Sequence, residues 1–140
     1  MTDARLLAEQ IVWAGVTPDA RNEAFNAVNG DVFRWSRLWR VIADYFGVEA
    51  ADCPADHTPL APRLQGRDAE WRAIVEAQGL QPLALSALAS AWHTDIDLGR
   101  PMECVHSMAK ARRLGFRSTQ DTEASFIDTF DRLRAERIIP

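Results

Sequence analysis

The stretch Glu23–Phe46, EAFNAVNGDVFRWSRLWRVIADYF, constrains this chain more than any other. Ala24, Phe25, Ala27 and Val28 form a short apolar run bounded by Asn22 and by Asn29-Gly30. A run of that length between such breakers predicts a buried strand. Asn-Gly tolerates positive φ and marks a turn. Beyond it, Trp35, Leu38, Trp39, Ile42 and Phe46 recur at three- and four-residue spacing, with Arg34, Arg37, Arg40 and Asp44 between them. That pattern is the stripe of a helix packed on a core, with Ser36 as a cap and Gly47 as its stop.

Around this stretch the chain reads as mostly helical. Thr2 or Asp3 caps a first helix to about Ala14, stopped by Gly15, with Leu7, Ile11 and Ala14 on one face and Leu6 and Trp13 beside it. Gly47–Ala51 suits a brief strand. Pro54, Pro59 and Pro62 make residues 53–62 a loop. Asp68 caps a helix over 69–78 that carries Trp71, Ile74 and Val75 and ends at Gly79. Pro82 opens another with Leu83, Leu85, Leu88 and Trp92, breaking near Ser90 and resuming to Leu98. Met102–Val105 reads as a short strand, Ser107 caps a helix to Leu114, and Thr119 or Asp121 starts a last helix striped by Phe126, Ile127, Phe130 and Leu133. The expected class is α+β and helix-rich, five or six helices around two or three short strands, in a single domain over residues 1–140.

Composition narrows the function. With 140 residues and 47% apolar content, the chain can bury a core. A net charge of −4 gives no attraction to nucleic acid or to an anionic membrane surface. No apolar run approaches the roughly 20 residues of a membrane helix, and no signal peptide is visible at the start. Two cysteines without meaningful spacing, Cys53 and Cys104, fit reduced thiols and a cytoplasmic setting.

Several residue sets invite chemical readings. Cys104 and His106 share a face if they lie on a strand, but a nucleophile also needs an oriented base and an oxyanion site, so a buried cysteine beside a partly exposed histidine is the plainer reading. Asp52, Cys53, Asp56 and His57 match no common zinc spacing. Asp95 and Asp97 read as a solvated helix end, not as paired catalytic carboxylates. Lys110, Arg112 and Arg113 form a basic cluster on a packing helix.

The motifs together resemble a known family. NEAFNAVNGDVFRW followed by LW, Trp71 with Ile74-Val75 and Gly79-Leu80, Ser107–Arg112 with Leu114-Gly115-Phe116, the start Thr2–Ala8 and the ending Leu133–Pro140 occur in order. They are similar to the C-terminal, substrate-side region of extended short-chain dehydrogenases/reductases. The branch is the progesterone 5β-reductase/iridoid-synthase-like group, with bacterial relatives labelled NAD-dependent epimerase/dehydratase. The resemblance implies a substrate-binding domain of an NAD(P)-dependent oxidoreductase. It implies that Trp92 and His93 lie near the aromatic wall facing a small apolar carbonyl or enone substrate, although Trp92 also reads as ordinary core.

That family holds its nucleotide on a glycine-rich strand–turn–helix. The glycines here, at 15, 30, 47, 66, 79, 99 and 115, are too dispersed to build one. The single tyrosine, Tyr45, and the single lysine, Lys110, do not fall at the family's catalytic positions. The expectation is therefore a piece of a longer reductase without a catalytic residue, metal or cofactor of its own, NAD(P) being implied for the full-length family. Its partner would be a Rossmann-type subunit. The other reading is a truncated, non-catalytic domain that exposes once-interior apolar surface, on its first helix for example, and acts by self-association or protein interaction.

Overall fold

The computed structural model describes residues 1–51, 58–100, 102 and 104–140. Its elements are α1 (Ala4–Val16), a 3₁₀ turn (Pro18–Ala20), α2 (Trp35–Phe46), α3 (Leu60–Leu64), α4 (Asp68–Gln78), α5 (Leu85–Leu88), α6 (Ala91–Leu98), α7 (Ala109–Arg113) and α8 (Thr122–Ala135). Contacts divide the chain into two compact units, one of Met1–Ala50 with Cys104–Asp128, the other of Ala51–Glu103 with Thr129–Pro140.

The expected α+β class is corrected here: no strand occurs among the described residues. Strand pairing requires a second backbone to complete the ladder. Around Glu23–Val28, side chains take that place. Thr2 Oγ1 donates to the Ala27 carbonyl at 2.7 Å, Gln10 Nε2 to Asn26 O at 2.9 Å, and Lys110 Nζ to Ala24 O at 2.9 Å. The brief strand expected after Gly47 gives way to a helix cap. Gly47 adopts φ 65°, and the Val48 amide donates back to Ala43 O at 3.0 Å. Met102, Cys104 and Val105 lie in no strand, and Glu103 falls outside the described residues.

The first unit has a core. Leu6, Met108, Ala111 and Phe116 are buried together, with Trp13, Phe25 and Val28 packed against them. Trp13 meets Phe25 edge-on at 5.1 Å and Phe116 at 5.4 Å between ring centroids. On α2, Leu38 is fully buried, and Trp35 contacts Phe33, Trp39 and Phe126. The sequence stripe on α2 is thus seen in part, with Leu38 buried, Trp35, Ile42 and Phe46 half-buried and Trp39 45% exposed. Its N-terminus is Arg34, with no side-chain cap, and Ser36 lies inside the helix.

The second unit has no fully buried residue among those described. Polar clamps hold it. Asp95 on α6 accepts the Leu60 and Ala61 amides at 2.6 and 2.9 Å, capping α3 from another helix. Trp71 Nε1 on α4 donates to Leu83 O at 2.7 Å. Gln81 donates through its backbone to Arg137 O and through its side chain to Glu136 O. The predicted break near Ser90 is present, and Ser90 caps α6.

Candidate functional site

The two residues expected at a substrate wall stand at the start of α6. Trp92 is 62% exposed, so it is not core. Its ring meets that of His93 edge-on, 4.6 Å between centroids. Ser90 Oγ accepts the His93 amide and sits 2.7 Å from His93 Nδ1, which fixes the imidazole against the helix start. Chemically this is an exposed aromatic ledge with one oriented imidazole. It can stack against a flat apolar molecule and offer a single hydrogen bond.

The remaining candidate residues serve local structure. Lys110 pairs with Glu23 Oε2 at 2.6 Å and lies 5.0 Å above the Phe25 ring. Tyr45 stacks edge-on with Phe46. Asp97 pairs with Arg100 at 2.5 Å, while Asp95 holds α3 as described above. Both Cys104 and His106 are exposed, which corrects the buried cysteine expected from sequence. Among the described residues no acidic, cysteine and histidine side chains gather as a metal site; Asp52, Cys53, Asp56 and His57 fall outside the described residues.

A polar hub in the first unit escaped the reading of motifs. Asn29 Oδ1 accepts the Asp3 amide at 2.6 Å, and its Nδ2 donates to Thr122 Oγ1 at 3.0 Å. Its backbone bonds Met1 O and the Gln120 amide. Asp31 accepts both the amide and the hydroxyl of Thr122, at 2.8 and 2.7 Å, and so caps α8 from a distance. Asp3 caps α1 through the Arg5 amide, takes two bonds from the Arg5 guanidinium, and accepts Ser125 Oγ. The Arg5 guanidinium and the Ser125 hydroxyl hold the Asp3 carboxyl well below the usual carboxylate range. Gly30, at φ +94°, holds a backbone conformation that strains any side chain, and a Cβ there would lie 2.9 Å from Arg112 Nη2, which would have to move. The hub consists of satisfied caps, so it positions helices and leaves no group poised for chemistry. Its one sequence signal was residue type. Asp, Asn and Thr beside helix starts are side chains that bond backbone.

Surface apolar groups gather on α1. Leu6 and Gln10 face inward with half-buried Trp13, whereas Leu7, Ile11, Val12 and Val16 face out, Val12 at 66% and Val16 at 75% exposure. Next to this face is an open cleft of about 670 Å³ lined by Ala8, Val12, Trp13, Phe116 and Arg117, among others.

Five of the glycines have local roles. Gly47, Gly79 and Gly99 end helices, and Gly30 is packed on Arg112. Gly66 stands before a helix, α4, whose first turn carries Asp68 and Glu70. Those carboxylates would repel a phosphate.

The homologues of this chain are iridoid synthase and progesterone 5β-reductase-like enzymes, which are extended short-chain dehydrogenases/reductases. In particular, it is 39% identical over 99% of its length to the (S)-8-oxocitronellyl enol synthase CYC2 of Camptotheca acuminata. It is 38% identical to the (S)-8-oxocitronellyl enol synthase ISY1 of Nepeta cataria, and 35% identical to the 3-oxo-Delta(4,5)-steroid 5-beta-reductase of Arabidopsis thaliana, again over 99% of the chain. The chain spans only 36% of the length of each of these relatives. No protein-family model matches it. The resemblance read from the motifs is thus borne out. No helix among the described residues is long and apolar enough to cross a membrane.

Proposed function

We propose that this chain is the C-terminal, substrate-side part of an NAD(P)-dependent reductase-like protein and is not catalytic alone. The observation that carries this reading is the similarity over 99% of the chain to about a third of such enzymes. A nucleotide-binding part supplies NAD(P), the source of hydride, together with the catalytic tyrosine and lysine. This chain contributes a surface for a small apolar enone. Trp92 offers a flat apolar face that displaces water from the substrate. His93, oriented by Ser90, offers a hydrogen bond to an oxygen. Reduction of an activated C=C bond fits both kinds of relative better than epimerisation, because their names describe enol formation and 5β-reduction.

The test is a chimera in which this chain replaces the corresponding third of the Camptotheca acuminata enzyme. NADPH oxidation with a panel of small apolar enones is the readout. Turnover by the chimera, with none by the isolated chain, is expected. Trp92→Ala in the chimera should raise KM about tenfold, roughly 1.4 kcal/mol, with little change in kcat. A folded chimera that oxidises no NADPH with any enone sinks the reading.

A further inference from the structure

We infer that Asn29-Gly30 is a deamidation site that the finished fold holds shut, so that Asn29 converts to aspartate or isoaspartate only when the first unit opens. The reaction needs no enzyme. The Gly30 nitrogen attacks Asn29 Cγ, and the Cγ–Nδ2 bond breaks. The attacking nitrogen gives up its proton, Nδ2 leaves as ammonia, and a five-membered succinimide remains. Water then opens the ring at either carbonyl. One route gives aspartate; the other gives isoaspartate, with the chain running through the side chain. Glycine favours the attack because no side chain crowds its nitrogen and its backbone turns freely. Of the three asparagines, at 22, 26 and 29, only Asn29 precedes a glycine.

Protection lies with the asparagine. The Gly30 N–H donates no hydrogen bond among the described residues, so the nucleophile is not tied down in that way. Asn29, by contrast, is 2% exposed and held at every polar atom. Its Oδ1 accepts the Asp3 amide and its Nδ2 donates to Thr122 Oγ1. Its own amide donates to Met1 O, and its carbonyl accepts the Gln120 amide. Cγ cannot swing toward the Gly30 nitrogen until these partners let go. Gln120 and Thr122 belong to a distant segment, so local loss of that segment's packing frees the amide without global unfolding. The product cannot close the hub again. The Thr122 hydroxyl has one proton, which it gives to Asp31 Oδ1 at 2.7 Å. A carboxylate in place of the Asn29 amide finds no donor there and shares Thr122 Oγ1 with the like charge of Asp31. Conversion is therefore one-way and marks chains that have opened.

The test incubates the full chain, folded and in urea, at mildly alkaline pH. Peptide mass at position 29 and labelling by an isoaspartyl methyltransferase are the readouts. Conversion about a hundredfold slower in the folded chain is expected, because opening limits the native rate. Folded Thr122→Val, which removes the acceptor for Nδ2, should convert about tenfold faster than the folded wild type. Thr122→Ser keeps the hydroxyl and should keep the slow rate. Asn29→Asp reproduces one product and should lower the Tm. Equal rates folded and in urea overturn the inference, and so does an absence of conversion in urea. A folded Thr122→Val that reacts no faster than wild type overturns it too. Where Thr122→Val does not fold, the folded-to-urea ratio and the Tm of Asn29→Asp decide, and an unchanged Tm overturns the one-way step.

Discussion

The two units of this chain are held together differently. In the first, Leu38 and Ala111 are buried to about the last atom, and a hub centred on Asn29 ties both segments of the unit into one structure. In the second, no described side chain is fully buried, and single polar clamps such as Asp95 on α3 and Trp71 on Leu83 do the holding. Packing density resists change steeply, whereas exposed polar clamps are each worth little net. The rigid unit therefore reads as scaffold. The exposed aromatic ledge, Trp92 with His93, belongs to the softer one, where local opening is easiest.

Perturbations that separate the units test this contrast. Leu38→Ala leaves a cavity in the first unit and should cost about 3–4 kcal/mol. Hydrogen exchange should rise throughout residues 1–50 and 104–128, and an equal rise in α4 and α6 would erase the distinction. Asn29→Ala should cost about 2–3 kcal/mol, because the Asp3 amide and Thr122 hydroxyl lose a buried partner; chemical denaturation of the two proteins measures it. Acid sharpens the comparison. The folded-state pKa of Asp3 is depressed, so its stabilisation is fully present above the ordinary carboxylate range and is lost as pH falls below about 4. A pH series of Tm should show the first unit's transition falling in that window, with Asp3→Ala flattening the fall. The smallest effect is expected from Asp95→Ala, about 1 kcal/mol, seen as faster exchange of the Leu60 and Ala61 amides and nowhere in the first unit.

Helices were legible from sequence where local rules decide. The α2 stripe, the Gly47 and Gly79 stops and the break before α6 all rest on contacts within a turn or two. The segment at Glu23–Val28 was not legible, because a short apolar run looks alike whether a strand or side chains complete its backbone bonds. What decides it lies far along the chain, at Thr2, Gln10 and Lys110. The facing of α1 was ambiguous for another reason. The helix is apolar on two sides, Leu6 with Trp13 and Leu7 with Ile11, and periodicity cannot say which side turns inward. At the site, the Trp92–His93 pairing follows from adjacency, but the exposure of Trp92 depends on the absence of a covering partner among the described residues.

The Asn29–Thr122 bond has a further consequence, one of timing. The first unit is discontinuous, so Met1–Ala50 waits on the ribosome while residues 51–103 are made. At ordinary synthesis rates that is a delay of about 3–10 s. During it, the Leu6–Trp13 side of α1 has neither Met108 nor Phe116 to pack against. Production of this protein should therefore respond to how quickly its middle segment is translated.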